Sequence, residues 1–119
     1  RGEGTRIELR SPDPSANPYL TLAVCLAAGL DGIKNKIEPP AETRSNAFNI
    51  SKDEKKALDM QSLPSDLLHA VKELKRDEFV QEVLGKHITE KYIEAKENEW
   101  NRYREQISEW EIDEYLYKI

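Results

Sequence analysis

Two arginines and a glutamate alternate with two aliphatic residues in the run Arg6-Ile7-Glu8-Leu9-Arg10. On an extended strand successive side chains point to opposite faces, so Ile7 and Leu9 share one face and the three charged residues the other. Neighbours on that charged face stand roughly 6.6–6.8 Å apart. A carboxylate between two guanidinium forks at this spacing suits a divalent cation on the carboxylate and phosphate or carboxylate oxygens on the forks. The same alternation also describes a surface strand laced by solvated ion pairs, and periodicity alone does not separate the two.

The elements that follow must hold this strand in place. Ser11-Pro12-Asp13-Pro14 comes directly after it, then Asn17-Pro18-Tyr19-Leu20. Asn17 suits an N-cap and Pro18 the first helical position. Only Thr21 and Gly29 interrupt the apolar run of residues 19–30. Apolar character all round predicts a helix over residues 17–36, buried between layers, with Gly32 at its fraying end. At about 18 Å the apolar run is too short to cross a bilayer, which takes about 20 residues. Cys25 lies within it and reads as an inert buried thiol, with no second Cys and no closely spaced His to complete a metal site.

The run Thr5-Arg6-Ile7-Glu8-Leu9-Arg10-Ser11-Pro12-Asp13-Pro14-Ser15-Ala16-Asn17-Pro18-Tyr19-Leu20, with Ala27-Ala28-Gly29-Leu30-Asp31-Gly32-Ile33-Lys34-Asn35-Lys36, closely resembles the C-terminal part of bacterial type I glutamine synthetase. The resemblance is nearly ungapped over residues 5–38. It continues more loosely through residues 46–50, Leu84-Gly85, Tyr92-Ile93-Glu94-Ala95-Lys96, Glu99-Trp100, Trp110-Glu111 and Tyr115. It implies that only the C-terminal quarter of such an enzyme is present, and the internal position of Met60 agrees with a fragment.

The resemblance further implies a parent that makes glutamine from glutamate and ammonia, with ATP phosphorylating the side-chain carboxylate to γ-glutamyl phosphate before ammonia displaces phosphate. Glu8 matches the family's ligand to a divalent ion, Mg2+ or Mn2+, at the ATP phosphates. Arg10 matches the arginine that grips the side-chain carboxylate of glutamate and then its phosphorylated form, and Arg6 falls near the ATP phosphates. With one carboxylate and two arginines, residues 1–119 are expected to be inactive alone. A second hypothesis of a different class is a self-standing helical interaction module with the strand as a disordered tail.

Composition bounds the surroundings. The chain has 119 residues, 34% of them charged, and a formal net charge of −5. Such a field favours neither nucleic acid nor an anionic membrane. A single cysteine excludes an internal disulfide and agrees with a reducing compartment, and no signal peptide is visible, so the expectation is a cytoplasmic protein.

Residues 37–62 read as a connecting loop, broken by Pro39-Pro40, Ser45-Asn46 and Asn49 and fully charged over residues 52–56. In the proteobacterial branch of the resembled family the equivalent loop carries a tyrosine that is adenylylated. Ungapped counting from Glu8 puts Phe48 there. A phenyl ring has no hydroxyl to modify, which points to the Gram-positive-like branch controlled by feedback and partner proteins; Phe48 could equally anchor the loop by its ring.

From residue 63 onward the pattern is helical. Leu67, Leu68, Val71 and Leu74 form one stripe after Ser62 or Ser65 as cap, and Phe79, Val80 and Val83 start a short helix ended by Gly85. The longest helix is read over residues 89–106, with Ile88, Tyr92, Ala95 and Tyr103 along one side, Ile93, Trp100 and Ile107 widening it, and Glu94, Lys96, Glu97 and Glu99 on a solvated face. His69 and His87 lack second ligands and read as helix-surface residues. Residues 108–119 open with a capping box, Ser108 with Glu111, and place Trp110, Ile112, Tyr115, Leu116 and Ile119 on a helix of three turns at most. A helix so short must dock to be stable. It either folds back on its own domain or, as the resemblance implies, reaches across between two stacked six-membered rings; a regulatory protein is a further occupant. The fold class is therefore mainly α: one short strand in residues 1–12 and about five helices, forming the C-terminal fragment of an α+β catalytic domain.

Overall fold

The computed structural model describes residues 4, 6–40, 42 and 49–118. Phe48, Thr5 and Ile119 lie outside the described residues. The chain divides into two compact units, Arg1–Leu63 and Pro64–Ile119. Both are helical, and no strand occurs among the described residues.

In the first unit, helix α1 spans Pro18–Asn35 and α2 spans Lys52–Ala57. The Asn17 side chain accepts hydrogen bonds from the backbone N–H of Tyr19 at 3.0 Å and of Leu20 at 3.3 Å. Two of the donors that a helix start leaves unpaired are thereby satisfied, and Pro18 lacks the N–H that would be a third. Gly32 does not end the helix. The chain continues one turn further and closes with Lys36 in the left-handed region (φ 51°), its N–H bonding to Ile33 O and that of Ile37 to Gly32 O. This is a Schellman closure with lysine where glycine is usual.

The expected burial of α1 is not found: none of its residues is buried, and Tyr19, Leu22, Leu26, Leu30 and Ile33 form one exposed apolar stripe. Cys25 is half-buried. Apolar side chains are covered only by other elements, and among the described residues of its unit α1 packs against no other helix. The connecting region also differs from expectation, because its charged stretch is helical. Ser51 and Glu54 form a full capping box, Glu54 N–H to Ser51 Oγ at 3.2 Å and Ser51 N–H to Glu54 Oε2 at 2.9 Å. Reciprocal capping and acidic residues in the first turn start the helix without any apolar face.

The second unit packs α3 (Leu67–Arg76), α4 (Glu78–Leu84) and α5 (Lys86–Arg104) against one another. The cap of α3 is Asp66 rather than a serine, its Oδ1 accepting from His69 N–H at 2.8 Å. An ionised carboxylate at a helix start also meets the positive end of the helix dipole, which a serine hydroxyl does not. Asp77 both ends α3 and caps α4, accepting from Val80 N–H at 2.9 Å. Gln81 reaches back from α4 and donates to Leu74 O and Lys75 O, 3.0 Å each, satisfying carbonyls that the end of α3 leaves open. Gly85 joins α4 to α5 at φ 75°, ψ 153°, a conformation open essentially to glycine alone.

The core is small. Val71 at 3% exposure is the buried apolar residue among those described, beside Thr89 of α5 at 4%. Fully burying a valine contributes about 1.5–3 kcal/mol. Helix α5 turns Thr89, Tyr92, Ile93, Lys96, Glu97 and Trp100 inward, so Lys96 and Glu97 are half-buried rather than on the solvated face, while Ala95 and Tyr103 are exposed. The reason is chemical: Lys75 of α3 meets Glu97 at 2.6 Å, and the Lys96 ammonium lies 5.7 Å from the Tyr92 ring centroid, so charged heads find partners while their stems cover apolar surface. No helix among the described residues is long and apolar enough to cross a membrane.

Helix α6 (Glu109–Glu111) starts from the Ser108–Glu111 capping box and passes directly into a π-helical turn, Ile112–Leu116. Among the described residues these two segments pack only on each other. Trp110 and Tyr115 meet edge to face with centroids 5.9 Å apart, yet both remain more than half exposed.

Candidate functional site

Residues 6–10 carry no regular secondary structure, so the expected strand is not formed among the described residues. A strand is held by its ladder to a neighbour, and none is present among the described residues; Ile7 is 98% exposed. The three candidate residues are all exposed. Glu8 and Arg10 are brought together: Arg10 Nη2 lies 2.6 Å and Nε 2.9 Å from Glu8 Oε1. The contact joins residues two apart, which is the same-face relationship of extended backbone. Their side chains are 53% and 84% exposed. An exposed pair of this kind contributes about 0–1 kcal/mol, so the fold gains little from it. Arg6 is not brought into that pair.

The link to α1 is ordered by its own side chains. Asp13 Oδ1 accepts from Ser15 N–H at 2.8 Å and from Ser15 Oγ–H at 2.6 Å, and Asp13 O accepts from Ala16 N–H at 2.9 Å. Asn17 then caps the helix. Sequence reasoning gave Asp13 no role, although Asp followed two residues later by Ser is a recognisable Asx-turn pattern.

Among the described residues no group of three or more His, Cys, Asp or Glu side chains could hold a metal ion. Hard divalent cations take several oxygen ligands, so Glu8 is not a cation site by itself. His69 is exposed and its Nδ1 lies 2.7 Å from Ser65 Oγ and 2.9 Å from Asp66 Oδ2. Both partners address the same ring nitrogen, and the cluster organises the start of α3. The backbone N–H of His69 holds the Asp66 carboxyl below its usual range. His87 is exposed on the first turn of α5. The open groove between α3 and α5, lined by Leu68, Glu90, Ile93, Glu97 and Trp100, gathers no nucleophile with a base.

Comparison with known proteins gives a match to the family described as glutamine synthetase, catalytic domain, over residues 1–115. The chain is 49% identical over 117 residues to a glutamine synthetase of Thermotoga maritima, covering 98% of this chain and 27% of the relative. It is 50% identical over 116 residues to that of Methanosarcina mazei and 47% identical over 116 residues to that of Staphylococcus aureus, in each case 98% of this chain and 26% of the relative. The chain thus spans about a quarter of the length of the curated relatives it matches.

Proposed function

The chain belongs to the glutamine synthetase catalytic-domain family, and from that premise we propose that it supplies the metal- and glutamate-contacting segment of an ATP-dependent glutamate–ammonia ligase. In this reading ATP phosphorylates the side-chain carboxylate of glutamate, and ammonia displaces phosphate from the γ-glutamyl phosphate. Arg10 grips the carboxylate, where the planar guanidinium makes two parallel contacts that a lysine cannot. Arg6 lies along the ATP phosphates. Glu8 is one ligand of Mg2+ or Mn2+; the bound cation offsets charge on the transferring phosphoryl group.

What carries the reading is the alternation of Arg6, Glu8 and Arg10 inside a run that resembles the family nearly without gaps, with 47–50% identity to curated glutamine synthetases along nearly the whole chain. The Glu8–Arg10 pair is exposed and weakly stabilising, so cation and substrate can replace it at small cost. In the full-length parent, residues 6–10 join a sheet contributed by the rest of the enzyme, and the apolar stripe of α1 is covered there. The exposed aromatic residues of 108–118 support a docking role, across stacked hexameric rings or on a regulatory protein. The unpaired Cys25 fits the reducing cytoplasm. Residues 1–119 alone are inactive in this reading, because phosphoryl transfer needs several converging ligands in a closed site.

The competing reading is a helical interaction module, favoured by the self-contained packing of α3, α4 and α5. Ammonia-dependent glutamine formation by the full-length protein separates the two.

A further inference from the structure

We infer that Asp13 is a positioning residue, fixing the direction in which the segment bearing Glu8 and Arg10 leaves helix α1. The link of residues 11–17 is stiff for a reason visible residue by residue. Pro12, Pro14 and Pro18 have their φ angles locked by the ring. Ser11, Asp13 and Asn17 each precede a proline and are confined to extended backbone. Only Ser15 and Ala16 escape both constraints. These are the two residues Asp13 holds, Ser15 through its N–H and hydroxyl and Ala16 through its N–H. The Asp13 side chain holds Ser15 and the Asp13 carbonyl holds Ala16, so this residue closes the single free hinge between helix α1 and the charged segment. Loss of that closure lets Glu8 and Arg10 wander relative to α1, and displacement by about 1 Å at such groups costs on the order of a hundredfold in rate.

This inference rests on the reading of Glu8 and Arg10 proposed above. It is tested in the full-length enzyme with Asp13→Ala, Asp13→Asn and Glu8→Gln, measuring the Michaelis constant for glutamate, the half-saturating Mg2+ concentration, and the rise in Tm produced by Mg2+. Asp13→Ala is expected to raise both constants about tenfold and to shrink the Mg2+-induced rise in Tm. Asp13→Asn keeps the acceptor oxygen and is expected to stay within about twofold of wild type, since asparagine closes the same turn. Ser15→Ala removes only the hydroxyl bond and is expected to shift the constants about threefold; it carries the test if Asp13→Ala does not fold. A merely structural role would lower the active fraction at unchanged half-saturation, and that result overturns the inference. Equal damage from Asp13→Asn and Asp13→Ala also overturns it, because the charge rather than the turn would then matter. If Glu8→Gln is impaired while Asp13→Ala matches wild type, the inference fails alone; if Glu8→Gln is fully active, the underlying reading fails with it.

Discussion

Both contacts from the Arg10 guanidinium to Glu8 fall on the same carboxylate oxygen: Oε1 lies 2.6 Å from Nη2 and 2.9 Å from Nε. Two nitrogens of the guanidinium thus meet one carboxylate oxygen. The planar fork is what makes a two-contact grip geometrically available.

Arg10→Lys in the full-length enzyme keeps the charge and loses the fork. The change is expected to cost at least about tenfold in rate, or about 1.4 kcal/mol. Steady-state kinetics at saturating glutamate decide it. A lysine enzyme equal to wild type would make Arg10 a surface ion-pair partner only.

Deletion of residues 108–119 tests the role given to the exposed terminal segment. Trp110, Ile112, Tyr115 and Leu116 would together bury a few hundred Å2 on docking, several kcal/mol of gross energy at about 25 cal/mol per Å2. Repeated over symmetric copies, that decides assembly. The truncated full-length protein is expected to sediment as single rings or smaller species with folded subunits. A stacked double ring would contradict the role in ring stacking and point instead to packing on its own subunit or on a regulatory protein.

Gly85→Ala tests the backbone of the second unit. Among the described residues beyond its chain neighbours, none places an atom within 4 Å of the added methyl position, so the expected effect comes from the φ of 75° and ψ of 153°. Conformations of this kind cost a non-glycine residue about 1–3 kcal/mol. Chemical denaturation should record a loss of that size, and an unchanged midpoint would mean the joint between α4 and α5 relaxes freely.

Acidification should loosen the capped helix starts. The Ser51 and Ser108 backbone N–H groups hold the carboxyls of Glu54 and Glu111 below the usual glutamate range, and the His69 N–H does the same for Asp66. A depressed folded pKa contributes stability that is present above the unfolded pKa and lost as pH falls through the folded one. Helicity at α2, α3 and α6 is therefore expected to decline below about pH 4. Carboxyl-carbon NMR titration should give Glu54 and Glu111 midpoints below that of a free glutamate; midpoints at or above it would contradict the capping bonds.

Much of this was legible locally. Asn17-Pro18 marks the start of α1, Gly85 the joint after α4, and Ser108 with Glu111 the last capping box, because each signal lies within one turn of the feature it sets. The Ser51-Lys52-Asp53-Glu54 box was equally local, yet the fully charged stretch masked it. Features that need a distant partner were not legible in this way. Residues 6–10 alternate like a strand and Leu22, Leu26 and Leu30 are apolar like a core, but a ladder and a covering layer are supplied by other elements. The inward turn of Glu97 likewise depends on Lys75 of another helix. Within the candidate site, the Glu8–Arg10 contact joins residues two apart, the spacing the alternation singled out, and the turn held by Asp13 carries a local sequence pattern that was passed over.

The most direct measurement is ammonia-dependent glutamine formation by the full-length protein and its Glu8→Gln variant across a magnesium titration. Gln keeps the shape of Glu and removes the charge that a hard divalent cation prefers. The wild-type protein should form glutamine with ATP turnover, and the variant should fall by about a hundredfold or more while remaining folded by circular dichroism, the scale on which one well-placed electrostatic contact acts. A full-length protein that forms no glutamine, or a variant with a near-normal rate at ordinary magnesium, would contradict the assignment of Glu8 and the function built on it.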